Sequence, residues 1–370
     1  MLRPHRTERR QTMRLMRRWP VVLAGGVLLT ATVAACGEEK AAQPDGALAF
    51  AYQDRDGFAV LNGERQVARI GGTFAGPLVW TTDAKYAGMV AIDWDSEGSG
   101  KVVSVEVATG KQRELACGCL GFAGIGGARI AWANDDGKLF TADLSTDNPP
   151  DSLEARLPSG FQAETVVAGT DGLIMVHTLP RNDDPDATSP DEQRGSVYVV
   201  PVTGEPVLAS GFDPVQDVRP VAVSGRRFAY GVIRSQGDCA HWGPINIFDQ
   251  AAASITGTDS AAVLRIGPAD SEVAVDDLWW AADGSLHASL SVVTCDPEGG
   301  KIAVPASRWR LDGTVWVGVD EPSVVRERPV RGGGRLTLDG DGALRLITAS
   351  GSRDVATGVQ SISAPPARPA

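Results

Sequence analysis

The sequence predicts an all-β chain folded as a single β-propeller of seven blades, and three observations carry that expectation. Gly (43) and Pro (23) are plentiful among 370 residues while aromatics make up 6%, the composition of a chain that turns often. Beyond residue 36 the apolar stretches are dominated by Val, Ala, Leu and Thr and show no long stripe of helical period, so they read as short strands rather than helices. The strands recur in units of roughly 40 to 50 residues, the span of four short strands with their turns, which is the spacing of a propeller blade.

The amino terminus stands outside this pattern. Arg14, Arg17 and Arg18 precede an apolar run, residues 21–33, interrupted by Thr30 and Thr32, and the run closes on Ala34-Ala35-Cys36. A basic region, an apolar region and a small-residue cut site are the parts of an export signal. The run falls short of the roughly twenty apolar residues that span a bilayer. Its closing VAAC resembles the lipobox of bacterial lipoproteins. That resemblance implies that residues 1–35 are removed and that Cys36 is diacylated. The mature protein is then anchored to the outer face of the plasma membrane by lipid on Cys36. Two or more acyl chains make a stable anchor, each buried CH₂ contributing about 0.8 kcal/mol. Residues 36–45 read as the lipidated polar tether.

Charge narrows the partners. Removing residues 1–35 takes away seven Arg and one Glu and leaves 28 basic and 45 acidic residues, a net of −17. With no basic block, such a surface repels nucleic acid and anionic headgroups, so the lipid must do the anchoring and no nucleic-acid partner is expected.

From residue 46 to 363 the repeat takes over, with 364–370 expected to be a disordered tail. Its best copies are VVSVEVATGKQREL (102–115) and SVYVVPVTGEPVL (196–208), each an alternating strand, a Thr-Gly turn and another short strand. Thr109 and Thr203 lie 94 residues apart, two periods of about 47. A second series of turns, at Asp83/Lys85, Gly126-Gly127, Asp171-Gly172, Ser224-Gly225, Asp283-Gly284 and Asp341-Gly342, recurs every 43 to 59 residues. Each is expected to join an inner strand to a second strand, because Asp-Gly and Gly-Gly suit the positive φ angles of tight hairpins. Counting residues 359–363 (VQSIS) gives seven inner strands. The first unit lacks its own inner strand and the chain ends with a spare one, so 359–363 should complete the blade begun by 47–52 and remove the open edges.

On these hairpin motifs, which are loose and lack a regular Trp-Asp signature, residues 46–363 resemble the TolB-like and WD40-like propellers of bacterial envelope proteins. The Ala/Gly/Arg/Val-rich, Lys-poor composition with the lipobox looks actinobacterial. The resemblance implies a propeller displayed outside the plasma membrane.

In a propeller, the loops joining second to third strands share one face with the links between blades. The long insertions fall there: residues 93–101, 181–195, 234–244 and 294–307, with the interblade residues 117–119. They place Asp93, Trp94, Asp95, Asp183, Asp184, His241 and Trp242 on one rim, where binding residues commonly reside on a rigid scaffold. Exposed Trp94 and Trp242 there would suit protein or sugar contact. The alternating oxygens of residues 93–97 suggest a calcium loop, but Ser104 stands where the bidentate Glu is needed, so a turn is expected. Residues 98–101 fail as a phosphate loop, since Asp95 and Val102 occupy the required Gly and Ser/Thr positions. His177, His241 and His287 are scattered, and no nucleophile or metal signature occurs. No catalytic residue, metal site or cofactor is therefore predicted.

Four thiols remain beside Cys36. An even number outside the cytoplasm predicts disulfides. Cys239 and Cys295 occupy equivalent loops of neighbouring blades and make the best pair. Cys117 and Cys119 could close a small ring across Gly118 or cross-pair with the other two.

The expected function is a non-catalytic binding or scaffolding module at the cell envelope, with an envelope protein or a glycan as partner. The alternative is a propeller enzyme of hydrolase or lyase type with its site at the central channel mouth. Buried carboxylates with perturbed pKa at that mouth would favour the enzyme, and an apolar, Trp-bearing rim would favour partner binding.

Overall fold

The structure, a computed structural model, describes residues 48–366 apart from 93–99, 154–156, 159, 181–194, 210–216, 237–239, 297–298 and 321–322. Among the described residues the chain forms seven antiparallel sheets, each ordered from an inner strand outward. Blade 2 contains Phe74–Trp80, Tyr86–Ala91, Lys101–Glu106 and Gln112–Ala116. Blade 3 contains Phe122–Gly126, Arg129–Ala133, Leu139–Asp143 and Asp151–Ser152. Blade 4 contains Phe161–Thr170, Leu173–Pro180, Ser196–Pro201 and Val207–Leu208. Blade 5 contains Asp217–Ser224, Arg227–Gln236, Asn246–Asp249 and Ser254–Gly257, with Ala240–Trp242 folded back on its second strand. Blade 6 contains Ser271–Trp280, Leu286–Asp296, Gly299–Asp312 and Val315–Gly318. Blade 7 contains Val324–Val330, Gly334–Asp339, Leu344–Thr348 and Gly351–Ala356.

Blade 1 is built from both chain ends. Val359–Ser363 supplies its inner strand and pairs with Ala49–Asp54, which is followed by Gly57–Asn62 and Arg65–Gly71. Each inner strand touches the next around the ring, and the last returns to the first. The seven-bladed closure expected from the repeat count is therefore present.

Strand direction alternates within each blade, so two faces follow from topology alone. Turns between first and second strands lie on one face, the turn face. Turns between second and third strands and the links between blades lie on the other, the insertion face. The chain enters the ring at Ala49, the turn-face end of its strand. The turn series works as expected in most blades: Gly172 (φ 75°) and Gly284 (φ 80°) take the left-handed geometry that Gly adopts without steric cost.

Two expectations about register need correction. Asp341-Gly342 joins the second to the third strand of blade 7, not the first to the second. The inner strand of that blade is Val324–Val330, and its turn runs through Gly332 and Gly333, both at positive φ. A Gly-rich stretch outcompeted the Asp-Gly signal. Residues 294–307 are also not a loop: the second and third strands of blade 6 stay paired to their tip, with Thr294 opposite Lys301 and Cys295 opposite Gly300. Residues 234–244 fold partly the same way, Ser235 pairing with His241.

The core is a set of seams between blades. Six apolar clusters fill the seams 1/2, 2/3, 3/4, 4/5, 5/6 and 7/1, with Phe58 and Met89 in the first and Trp316 in the fifth. Among the described residues the seam between blades 6 and 7 carries polar and charged groups instead.

Candidate binding face and channel mouth

Every inner strand is irregular in its pairing with the second strand. A bulge leaves one residue outside the ladder and re-aims its side chain. Four residues placed this way are polar: Glu164 in blade 4, Arg219 in blade 5, Asp276 in blade 6 and Gln360 in blade 1. Each is exposed although the residues on either side are buried or half-buried. Inner strands line the central channel, so these exposed side chains reach its lumen.

The lumen groups form a belt across adjacent blades. Arg219 Nε sits 2.8 Å from Asp217 Oδ2. Arg328 grips Asp277 with one guanidinium nitrogen, 2.7 and 2.8 Å from the two carboxylate oxygens, and Arg326 Nε lies 3.6 Å away from the same carboxylate. Arg326 also donates to the carbonyl oxygen of Gln360. Asp217 and Asp277 are thus paired with arginines, while among the described residues Glu164 and Asp276 have no such ion pair. Desolvation in the channel raises the Glu164 carboxyl above the usual range, and nearby Asp217 adds to the rise. Asp276 is also raised, chiefly by desolvation, with a Ser291 hydrogen bond and Arg326 opposing. Both are reachable by water yet surrounded by protein, which is the setting that disfavours an ionised carboxyl.

A hollow of ≈ 430 Å³ opens on the insertion face between blades 7 and 1, lined by Asp54, Asp56, Asp341, Val359 and Gln360 among others. Gln360 links it to the lumen. Its acidic wall is partly compensated by Arg69, 2.7 Å from Asp54, which holds the Asp54 carboxyl below its ordinary value.

Cys117 and Cys119 lie side by side on the same face, their Cα atoms 5.1 Å apart, within the range a disulfide needs. Both are buried in the 2/3 seam. The amides of Cys117 and Gly118 donate to the carbonyl of Gly100, at 3.1 and 3.0 Å. Trp132 Nε1 donates to the carbonyl of Cys117. Gly100 ends the blade 2 insertion, and a Cβ there would fall 2.0 Å from the Cys119 carbonyl oxygen. The thiol segment therefore lies against Gly100 by close backbone approach.

Of the residues singled out in the sequence, Cys36, Asp93, Trp94, Asp95, Asp183, Asp184 and Cys239 lie outside the described residues. His241 and Cys295 sit in paired strands rather than free loops. Trp242 is half-buried and packs on the 5/6 apolar cluster, so it is a packing residue rather than an exposed contact. His177 and His287 lie buried in second strands. Among the described residues no group of three or more His, Cys, Asp or Glu could hold a metal ion. The lumen residues Glu164, Arg219, Asp276 and Gln360 were not singled out from the sequence. Their signal is a skipped beat in strand alternation: buried Ala163 and Val166 are three residues apart, not two, and so are Val275 and Leu278.

No protein-family model matches the chain, and no curated protein matches it. Solved structures with similar folds include apo AztD from Citrobacter koseri, with 14% identity and a TM-score of 0.46 over 85% of this chain and 96% of that one. A putative 6-phosphogluconolactonase from Bacteroides uniformis gives 14% identity and a TM-score of 0.41, covering 86% of this chain and 99% of that one. A putative TolB from Agrobacterium tumefaciens gives 13% identity and a TM-score of 0.38, covering 85% and 91%. At these identities the likeness concerns the propeller fold alone, and this chain's own sheet order establishes that fold.

Proposed function

We propose that the chain is a lipid-anchored, extracytoplasmic, non-catalytic binding module that receives an envelope protein or glycan on its insertion face. The observation that carries this reading is the belt of bulge-placed polar residues at the channel, Glu164, Arg219, Asp276 and Gln360, on strands that begin at that face. A rigid ring with bulge-aimed side chains is preorganised for recognition. Lipid on Cys36 would hold at the membrane a ring whose described chain begins beside Ala49, the turn-face end of its strand. The proposed disulfides are Cys117–Cys119 and Cys239–Cys295.

A hydrolase or lyase is favoured by one observation, the upward shift of the Glu164 and Asp276 carboxyls by desolvation, since a raised pKa is what a carboxyl needs to serve as a general acid. They stand in blades 4 and 6 with Arg219 of blade 5 between them in ring order, an arrangement that suits grasping a polar ligand as well.

Lysine crosslinking on intact cells tests the binding reading, in wild type and Cys36→Ala. The expected outcome is membrane-bound wild type with crosslinks to an envelope component from Lys101, Lys138 and Lys301, which flank insertion-face turns. Cys36→Ala should leave the membrane fraction and lose them. Crosslinks confined to Lys85 and Lys111 on the turn face, or membrane retention of Cys36→Ala, would contradict it.

A further inference from the structure

The seam between blades 6 and 7 differs in kind from the other six. Three strands of blade 6 present two cross-strand rows on one sheet face. Asp277, Ser289 and Arg308 lie opposite one another in the first row, and Trp279, His287 and Arg310 in the second. The other face of the same strands carries Leu278, Leu286, Ala288, Leu290 and Trp309, which pack on blade 5. The polar face meets blade 7 through ion pairs: Arg308 to Glu327 at 2.6 Å, Arg328 to Asp277 at 2.7 Å and Arg326 to Asp277 at 3.6 Å. Arg335 shares Glu327 from within blade 7, at 2.9 Å. Their side chains are mostly withdrawn from solvent, Arg308 and Asp277 at 9% and 13% exposure.

Three further polar atoms buried on this face, Trp279 Nε1, His287 Nδ1 and Ser289 Oγ, have no hydrogen-bond partner among the described residues. Ser285 Oγ donates to Asp283, so it accepts from His287 Nε2 and leaves Nδ1 as a bare acceptor. Desolvation and the neighbouring Arg308 push the His287 pKa down, in keeping with a neutral ring.

We infer that the ring parts at the seam between blades 6 and 7, giving lateral access to the channel lumen. Parting any other seam exposes apolar surface to water, which costs free energy in proportion to area. Parting this one rehydrates buried ions and satisfies orphaned polar atoms, so a large share of the cost is returned. The seam between blades 7 and 1 is apolar, and the pairing of the two chain ends holds blade 1 together from within, so neither is the weak point. Asp276, Asp277 and Arg326 stand at the inner edge of the parting seam, so the opening leads to the lumen belt. This inference does not depend on the nature of any partner.

The test compares neighbouring positions on one strand. Ser289→Cys places a thiol on the polar seam, and Ala288→Cys places one on the apolar 5/6 seam; the native residues are 1% and 0% exposed. Each full mature variant is alkylated without denaturant, and labelling at the introduced site is followed by peptide mass spectrometry. Seam opening predicts that position 289 reacts at least about tenfold faster than 288. Adding Arg308→Met with Glu327→Leu should then slow the reaction at 289. Equal rates, or faster reaction at 288, would show that both react only through strand unfolding and would overturn the inference. The pair Ser291→Cys and Val292→Cys repeats the comparison on the same two faces, should either first variant fail to fold.

Discussion

At the scale of single residues, backbone irregularity decides where polar groups stand. Glu164 occupies a bulge, and its carboxyl is raised by desolvation with help from Asp217. Folding thus shifts this carboxyl toward its protonated form relative to the unfolded chain. Stability therefore declines as pH rises from the unfolded carboxyl value, about 4.3, through the raised folded value. Glu164→Gln should raise the melting temperature at pH 7 by about 1–2 °C, with the gain vanishing below pH ~4. An equal gain at both pH values, or a loss at pH 7, would mean that the carboxylate is not penalised in the channel. The pairing of the thiols is tested at this scale too. A non-reduced digest should yield the peptide containing Cys117 and Cys119 lighter by two hydrogens, and a separate Cys239–Cys295 linked pair. A linkage between the two sets would refute both assignments. The sequence made the thiols visible by spacing but hid Glu164 and Asp276, because a bulge shifts alternation by one residue and that shift is faint among short strands.

At the scale of elements, turn chemistry carried most of what could be read from the sequence. The Thr-Gly turns at Thr109 and Thr203 and the first-to-second turns at Asp171-Gly172, Ser224-Gly225 and Asp283-Gly284 stand where the repeat placed them. Blade 7 was misread because it holds two good turn signals, Gly332-Gly333 and Asp341-Gly342, and composition does not say which comes first in the sheet. Blade 6 was misread because a long hairpin with Gly299-Gly300 at its tip looks like a loop when its strands carry few apolar residues. The closing strand was legible because the count of inner strands did not balance without it. Removing everything after Thr357 should lower the melting temperature of the mature protein by more than about 5 °C and broaden the transition. It strips the inner partner from Ala49–Asp54 and leaves Phe50 and Tyr52 of the 7/1 cluster uncovered. A truncated protein that melts like the full mature chain would mean that closure contributes little.

At the scale of the whole molecule, topology divides the ring into two faces. The chain joins the ring on the turn face, whereas the insertions, the hollow beside Gln360 and the thiol segment share the opposite face. Fold class and closure were legible because repeat spacing and turn residues are local signals. The lumen belt was not, because it is assembled from five inner strands, 161–170, 217–224, 271–280, 324–330 and 359–363, whose sequences show no common motif. The central claim is that the insertion face, around the channel mouth, is where the partner docks. Its most direct test is a photo-crosslinking amino acid placed at Gln360, on the lumen rim, and separately at Val317, exposed on the outer strand of blade 6, each in the full chain in intact cells. The account predicts a discrete adduct from position 360 that is lost when Glu164→Gln and Arg219→Ala are combined, and none from position 317. An adduct from position 317 alone, or one from position 360 that survives the double substitution, would contradict it.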